Sequence, residues 1–144
     1  MLIAGCNSSE VAGTNAVAQE DTQETAAPNI ILFVADDLGW SDVSYQGSEI
    51  QTPELDRLAA GGARFDRFYA QPLCSPTRGA IMTGRSPVRT GVLKPFEPWY
   101  EEGLPLNEKI LPQYFKEEGY DTYAIGKWHL GPNHVSYHPQ NRGF

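Results

Sequence analysis

The chain has 144 residues and carries a net charge of −7 at pH 7, from 18 acidic and 11 basic residues. This length suffices for one modest domain with its own core, and the acidic balance argues against nucleic-acid binding. No stretch has the run of about 20 apolar residues that a membrane-spanning helix needs.

The first 28 residues differ in composition from the rest. They carry four of the seven net negative charges and no Lys or Arg. Residues 2–6, Leu-Ile-Ala-Gly-Cys, resemble a bacterial lipobox, in which the cysteine is lipidated. The charged and apolar segments that precede such a cysteine are missing, so we expect the true start upstream of Met1. The alternative is a chance apolar N-terminus. The lipobox predicts a periplasmic or cell-surface bacterial lipoprotein anchored to a membrane through Cys6.

Residues 7–28 lack hydrophobic periodicity and are typical of a solvated tether. Apolar and helical patterns then alternate, which indicates an α/β fold with a mostly parallel sheet flanked by helices. In chain order we predict a strand over 29–35, then a helix that has a capping hydroxyl at Thr52 and ends at Gly61-Gly62, and then a strand over 63–69. A helix over about 76–83 follows, and after it an irregular aromatic loop over 91–106. The last two predicted elements are a helix that is capped by Asn107 and closes at Gly119, and a strand over 120–125. No closing element follows, so we expect the front part of a longer protein.

Two carboxylates, Asp36 and Asp37, follow directly after the first predicted strand. In open α/β sheets, ligands bind at the carboxyl ends of strands. Carboxylate oxygens are the ligands that Ca²⁺ and Mg²⁺ prefer. The pair therefore predicts a divalent-cation site, and the alternative is a pair of solvated turn residues.

A thiol lies near a predicted helix start in residues 74–78, Cys-Ser-Pro-Thr-Arg. The N–H groups and dipole of a helix N-terminus favour an anion near Cys74, and Arg78 offers a rigid fork for sulfate or phosphate. We therefore predict a nucleophile beside an anion pocket; the alternative is a structural cysteine. A disulfide with Cys6 is not expected, because Cys6 lies in the leader before the tether.

Lys127 and His129 flank Trp128 after the last predicted strand. In an extended segment they would project to one side and Trp128 to the other. An ammonium binds a sulfate oxygen, and an imidazole shuttles a proton near neutral pH. Taken singly, the lysine is typical of a surface position and the histidine of a satisfied core position.

Four blocks together resemble the type I sulfatases of the alkaline-phosphatase-like superfamily. They are Asp36-Asp37 with Leu38-Gly39-Trp40, the helix start over 52–56, the C-x-P-x-R motif of residues 74–78 with Gly79 and Met82-Thr83-Gly84-Arg85, and Gly126-Lys127-Trp128-His129-Leu130-Gly131. The resemblance covers about residue 28 to Phe144 and is strongest to arylsulfatase B-like members, which act on sulfated amino sugars. It implies that residues 1–28 are a lipoprotein-like N-terminus with an acidic tether. It also implies that residues 29–144 are the incomplete, N-terminal portion of a catalytic domain with the sandwich fold of that superfamily.

The resemblance also implies a mechanism. A formylglycine-generating enzyme would oxidise Cys74 to Cα-formylglycine, whose hydrate attacks the sulfur of a sulfated carbohydrate or aryl sulfate. Asp36, Asp37 and the modified residue 74 would bind Ca²⁺, with Mg²⁺ as the other candidate. Arg78 would orient the hydrate, Lys127 would hold transition-state charge, and His129 would deprotonate the second hydroxyl so that sulfate leaves.

The chain also departs from the family pattern. A further Asp/Asn pair, another lysine and another histidine are not identifiable, and His134 and His138 are interpreted as loop surface. We therefore expect the 144-residue chain to be inactive alone. Two alternatives stay open, a phosphomonoester or phosphonate hydrolase of the same superfamily and a non-catalytic glycan-binding surface lipoprotein.

Overall fold

The computed structural model describes residues 27–144, so the predicted lipobox with Cys6 and nearly all of the predicted tether lie outside the described residues. The chain divides into two units, Met1–Val34 and Ala35–Phe144. In the first unit, residues 27–34 have no regular secondary structure. The helices of the described residues all belong to the second unit, and none of them is long and apolar enough to cross a membrane.

Four α-helices and four short 3₁₀ helices form the second unit. The α-helices are α1 (Pro53–Gly61), α2 (Cys74–Thr83), α3 (Pro87–Thr90) and α4 (Leu111–Glu117). The 3₁₀ helices span Trp40–Asp42, Ser44–Gln46, Val135–Tyr137 and Pro139–Asn141. The predicted loop over 91–106 is confirmed as free of helix and strand.

Helix α1 begins and ends where the sequence predicts, but its predicted cap is wrong. The Thr52 hydroxyl makes no capping bond to the helix. It lies 2.8 Å from the Ser44 hydroxyl and accepts a hydrogen bond from the Ser44 N–H at 2.9 Å. Ser44 also donates to both carboxylate oxygens of Asp56, at 2.8 and 2.7 Å. The hydroxyl is therefore used to hold the Ser44–Gln46 3₁₀ helix against α1.

Helix α2 begins two residues earlier than predicted, at Cys74 rather than Pro76. Leu73 is extended, and its carbonyl accepts the first helical bond from Thr77 N–H at 3.1 Å. Pro76 fits within the first turn because the N–H groups there have no helical partner in any case. The helix ends at Thr83, and the left-handed φ of 65° at the next residue, Gly84, lets the Gly84 N–H donate to the Ala80 carbonyl at 2.8 Å. Cys74 is thus the first helical residue.

Helix α4 begins at Leu111, and the predicted Asn107 cap is wrong. Asn107 belongs to a turn in which Glu108 N–H donates to the Pro105 carbonyl at 3.0 Å, so the helix starts only after that turn closes. Ile110 occupies the capping position, and its N–H donates to the side-chain oxygen of Gln113 at 2.9 Å. Gly119, with φ 83°, lies just past the helix end, as predicted.

The core of the second unit joins α2, the 91–106 loop and the segment that carries the predicted Lys127 and His129. Val92, Leu104, Ile110 and Leu130 are buried, and Met82, Phe96 and Trp128 pack against them. The loop and the segment meet closely, because Leu104 N–H donates to the Leu130 carbonyl at 2.9 Å. Gly103 permits this approach, since a Cβ there would lie 2.6 Å from the Leu130 carbonyl oxygen.

A buried arginine, Arg142, also binds the backbone at the end of this loop. Arg142 is only 3% exposed, and its guanidinium donates to the backbone carbonyls of Leu104 at 2.8 Å, Glu108 at 3.0 Å and Pro105 at 3.3 Å. Burial lowers the pKa of Arg142, but a guanidinium stays protonated in proteins. The loop carbonyls of Leu104 and Pro105, and the carbonyl of Glu108 just after the loop, thereby receive charged donors.

The three predicted strands are not formed among the described residues. A strand needs a neighbour to pair its N–H and C=O groups, and within residues 27–144 none of the three segments pairs with another. Their large side chains are correspondingly exposed, Phe33 at 90%, Phe65 at 75% and Ile125 at 100%. The described part of the chain therefore does not confirm the predicted sheet.

Candidate active site

The thiol of Cys74 faces the imidazole of His129. Cys74 is partly buried in the first turn of α2, and its Sγ lies 3.2 Å from Nδ1 of His129. The two residues are 55 positions apart in sequence, so the fold creates this contact. A thiol and an imidazole at hydrogen-bond distance form a nucleophile–base pair.

The ring of His129 is oriented by a backbone carbonyl. Its Nε2 lies 3.0 Å from the carbonyl oxygen of Phe96. A carbonyl can only accept a hydrogen bond, so Nε2 carries the hydrogen, and Nδ1 of the neutral ring presents its lone pair to Cys74. The backbone of His129 has φ 57°. This left-handed conformation costs a residue other than glycine about 1–3 kcal/mol and persists only where surrounding contacts hold it.

The hydroxyl of Ser75 touches both segments that meet at His129. It is completely buried, donates to the His129 carbonyl at 2.7 Å, and accepts from the Phe96 N–H at 3.3 Å. Ser75 and Phe96 received no role from the sequence. Phe96 acts through its backbone, which leaves no residue-type signal, and Ser75 occupies an unassigned position inside the C-x-P-x-R motif.

A second group of charges consists of Asp36, Arg78 and Lys127, of which Arg78 lies on α2 and Lys127 on the segment that carries His129. Lys127 Nζ is 2.5 Å from one carboxylate oxygen of Asp36, and Arg78 Nη2 is 3.6 Å from the other. Nη1 of Arg78 donates to the Lys127 backbone carbonyl. Trp128 packs against the core while its neighbours Lys127 and His129 reach Asp36 and Cys74. Trp128 and its two neighbours thus have different partners, although the left-handed φ of 57° at His129 means that the segment is not extended, as the prediction had assumed.

Hydrogen bonding to Lys127 lowers the pKa of Asp36, and the charge of Arg78 lowers it further. The same bond raises the pKa of Lys127. A carboxylate with a lowered pKa stabilises the fold above its ordinary pKa, and this contribution is lost as pH falls through the lowered value. An ammonium with a raised pKa stabilises below its ordinary pKa, and this is lost as pH rises through the raised value. The pair therefore stays charged across neutral pH.

Replacing Lys127 by methionine should raise the pKa of Asp36 towards its ordinary value, because the principal hydrogen-bond donor is lost. The measurement is a carboxyl ¹³C NMR titration of metal-free protein labelled at aspartate. Lys109→Met is the matched control, because Lys109 pairs with Glu117 elsewhere and should leave the pKa of Asp36 unchanged. An Asp36 titration curve that is the same in Lys127→Met and in the unsubstituted protein would contradict the assignment.

Asp37 is the second predicted cation ligand. It has a left-handed φ of 58°, a conformation that aspartate tolerates better than most residues. Within residues 27–144 its carboxylate makes no hydrogen bond or ion pair. Asp36 and Asp37 are thus neighbouring carboxylates of the type that suits Ca²⁺ or Mg²⁺, but the two oxygens of Asp36 contact Lys127 and Arg78 in this structure. The described residues contain no cluster of three or more His, Cys, Asp or Glu side chains able to hold a metal ion.

One donor of Arg78 is left over. The Arg78 side chain is 13% exposed, and its Nε is buried without a hydrogen-bond partner among the described residues. A buried unpaired donor of a charged group is costly, and an anionic ligand would satisfy it.

His134 and His138 are not part of this arrangement. Nδ1 of His134 accepts from the Ser136 N–H at 3.3 Å, and Nε2 of His138 lies 3.3 Å from the Pro132 carbonyl oxygen. Both rings make contacts within their own loop.

Comparison with known proteins agrees with this geometry. Residues 28–144 match the family model "Sulfatase". The chain is 44% identical over 127 residues to arylsulfatase J of Mus musculus, covering 85% of this chain and 21% of that protein. It is 43% identical over 129 residues to N-acetylgalactosamine-6-sulfatase of Homo sapiens, covering 81% of this chain and 24% of that protein.

Solved structures give the same picture. The structure described as "Crystal structure of Ps i-CgsB" superposes with a TM-score of 0.77 at 43% identity, covering 81% of this chain and 26% of that chain. A structure of the same protein in complex with k-i-k-neocarrahexaose superposes with a TM-score of 0.70 at 40% identity, covering 77% of this chain and 25% of that one. The chain thus spans about a fifth to a quarter of the length of the relatives it matches.

Proposed function

Because the chain belongs to the sulfatase family, we propose that the whole protein, meaning this chain with whatever completes the sulfatase domain, hydrolyses sulfate esters. The family carries an α/β fold of the alkaline-phosphatase type. The observation that carries the proposal is the contact between Cys74 and His129 beside the cluster of Asp36, Arg78 and Lys127. A nucleophile, a base and anion-binding cations are then present on one set of packed segments.

Cys74 is the nucleophile position. We propose that a formylglycine-generating enzyme oxidises its side chain, so that an oxygen on residue 74 attacks the sulfur and the alcohol leaves. Support comes from the C-x-P-x-R pattern and from its position in the first turn of a helix, where N–H groups without helical partners favour negative charge. Nδ1 of His129, 3.2 Å from Sγ, is placed to take a proton from a group at this position.

Arg78 and Lys127 bind the sulfate group in this proposal. Both side chains are cationic, and the Nε of Arg78, a buried donor without a hydrogen-bond partner within residues 27–144, is suited to an oxyanion. Fixed donors that meet developing negative charge stabilise the transition state more than the ground state. Their present partner, Asp36, keeps both side chains near Cys74.

A divalent cation would be held by Asp36, Asp37 and the modified residue 74, with Ca²⁺ favoured over Mg²⁺ only by the family resemblance. When bound, it supplies Lewis-acid polarisation. Two carboxylates are too few to hold such an ion alone, so further ligands lie outside the described residues. For this reason we propose that the 144-residue chain by itself turns over no sulfate ester.

The proposed substrate is a sulfated glycan or an aryl sulfate. The names of the relatives support this class, since one is an N-acetylgalactosamine-6-sulfatase and one solved structure holds k-i-k-neocarrahexaose. We also propose, from the lipobox-like residues 2–6 alone, that a lipid on Cys6 holds the protein at the bacterial cell surface or in the periplasm.

The test compares hydrolysis of an aryl sulfate and the matching aryl phosphate by the whole protein produced with a formylglycine-generating enzyme. We expect kcat/KM for the sulfate to exceed that for the phosphate, and mass spectrometry to show residue 74 as an aldehyde. A preference for the phosphate would favour the phosphohydrolase alternative. A plain thiol at residue 74 in protein from its native host, with no turnover of either ester, would favour the non-catalytic alternative.

A further inference from the structure

We propose that Ser75 is a positioning residue for His129, so that one buried hydroxyl sets both the backbone and the ring of the base. The inference rests on the proposed function for its catalytic meaning, but its structural content can be measured without turnover.

Cys74, Ser75, Phe96 and His129 are joined by a closed cycle of contacts. Cys74 and Ser75 are consecutive in α2, and their side chains reach the two sides of His129. Ser75 Oγ donates to the His129 carbonyl at 2.7 Å, while Cys74 Sγ lies 3.2 Å from the His129 Nδ1. Phe96 closes the cycle, because its N–H donates to Ser75 Oγ at 3.3 Å and its carbonyl accepts from His129 Nε2 at 3.0 Å. The hydroxyl is the link between the nucleophile helix, the loop and the base.

The partners of Ser75 are unusual for a serine in a first helical turn. There a serine hydroxyl ordinarily bonds to nearby backbone of its own helix, as Thr77 does with the Leu73 carbonyl at 2.9 Å. Ser75 instead bonds to backbone groups 54 and 21 positions away. Its side chain is completely buried, so removal of the hydroxyl would leave the Phe96 N–H and the His129 carbonyl without this partner.

The backbone conformation of His129 requires contacts that stabilise it. Its left-handed φ of 57° is a conformation that a residue other than glycine keeps only when its surroundings hold it. The bond from Ser75 to the His129 carbonyl acts directly on that backbone. The bond to Phe96 N–H fixes the peptide segment whose carbonyl selects the Nε2–H tautomer. Without the hydroxyl, the Nε2–H tautomer is no longer selected, and Nδ1 can carry the hydrogen instead of presenting its lone pair to residue 74.

The experiment compares Ser75→Ala, Ser75→Thr and the control Thr83→Ala in the whole protein. Thr83 ends the same helix, and its hydroxyl makes local bonds, donating to the Gly79 carbonyl at 2.7 Å and accepting from the Arg85 N–H at 3.2 Å. Two quantities are measured: the tautomer of His129 by ¹⁵N NMR of histidine-labelled protein, assigned with His129→Asn, and kcat and KM for an aryl sulfate. Mass spectrometry gives the converted fraction of residue 74, and kcat is expressed per converted site.

We expect Ser75→Ala to turn the single Nε2–H tautomer into a mixture and to lower kcat about 10- to 100-fold with KM little changed. Ser75→Thr should restore both the tautomer and kcat, and Thr83→Ala should match the unsubstituted protein. A Ser75→Ala protein that keeps the Nε2–H tautomer overturns the proposal, whether or not kcat falls. If the protein hydrolyses no sulfate ester, the proposed function fails while the tautomer still decides the positioning role.

Discussion

Replacing Cys74 by alanine in the whole protein is expected to lower kcat for an aryl sulfate by about 10³-fold or more. Alanine cannot be oxidised to an aldehyde, so residue 74 then carries no oxygen able to attack sulfur. The fold should persist, because Cys74 is partly buried and its one side-chain hydrogen bond among the described residues is to His129. The measurement is steady-state turnover of an aryl sulfate, with thermal unfolding to verify folding.

Cys6→Ala is the matched control for Cys74→Ala. Cys6 is the other of the two cysteines in the chain, and its removal should abolish the proposed lipidation while leaving kcat in detergent extract unchanged. If Cys74→Ala retained turnover within tenfold of the unsubstituted protein, covalent catalysis at residue 74 would be wrong.

Replacing His129 by asparagine is expected to lower kcat by about 10²- to 10⁴-fold, the range that general acid–base catalysis contributes. Asparagine is chosen because it tolerates the left-handed φ of 57° that His129 adopts. The backbone can therefore stay in place while the side chain loses its ability to shuttle a proton. The limb of the kcat profile that reports this base should disappear, and this is measured as kcat against pH.

His134→Asn is the control for the His129 substitution. The His134 ring accepts a hydrogen bond from the Ser136 N–H in its own loop, so kcat and its pH profile should be unchanged. Equal losses in the two variants would point to a general effect of removing histidine and would count against His129 as the base.

The sequence predicts much of the site because its chemistry resides in side chains with short-range patterns. Lys127 and His129 flank Trp128, and the fold uses that alternation to place Trp128 in the core and its neighbours at Asp36 and Cys74. The family resemblance is confirmed, whereas the catalytic and cation-binding roles of these residues stay predictions.

Other features depend on contacts that a local pattern does not contain. Phe96 orients His129 through a carbonyl that every residue possesses, and Ser75 acts on segments far along the chain. The Asn107 cap fails because a turn at Pro105 delays the helix to Leu111. The three segments predicted as strands form none within residues 27–144, because a strand also requires a pairing partner and these segments have none there.

Gly103 and Gly131 give this site an uneven tolerance to sequence change. Any side chain at Gly103 would meet the Leu130 carbonyl at 2.6 Å, and at Gly131, with φ 141°, it would meet the ring of Tyr137. Leu130 follows His129 directly, so a single added methyl group would press on the segment that carries His129 without touching any charged residue. Substitutions at these two positions would therefore appear conservative and remote from the site in a sequence comparison. Their effect, however, would be to change the distance between His129 and Cys74.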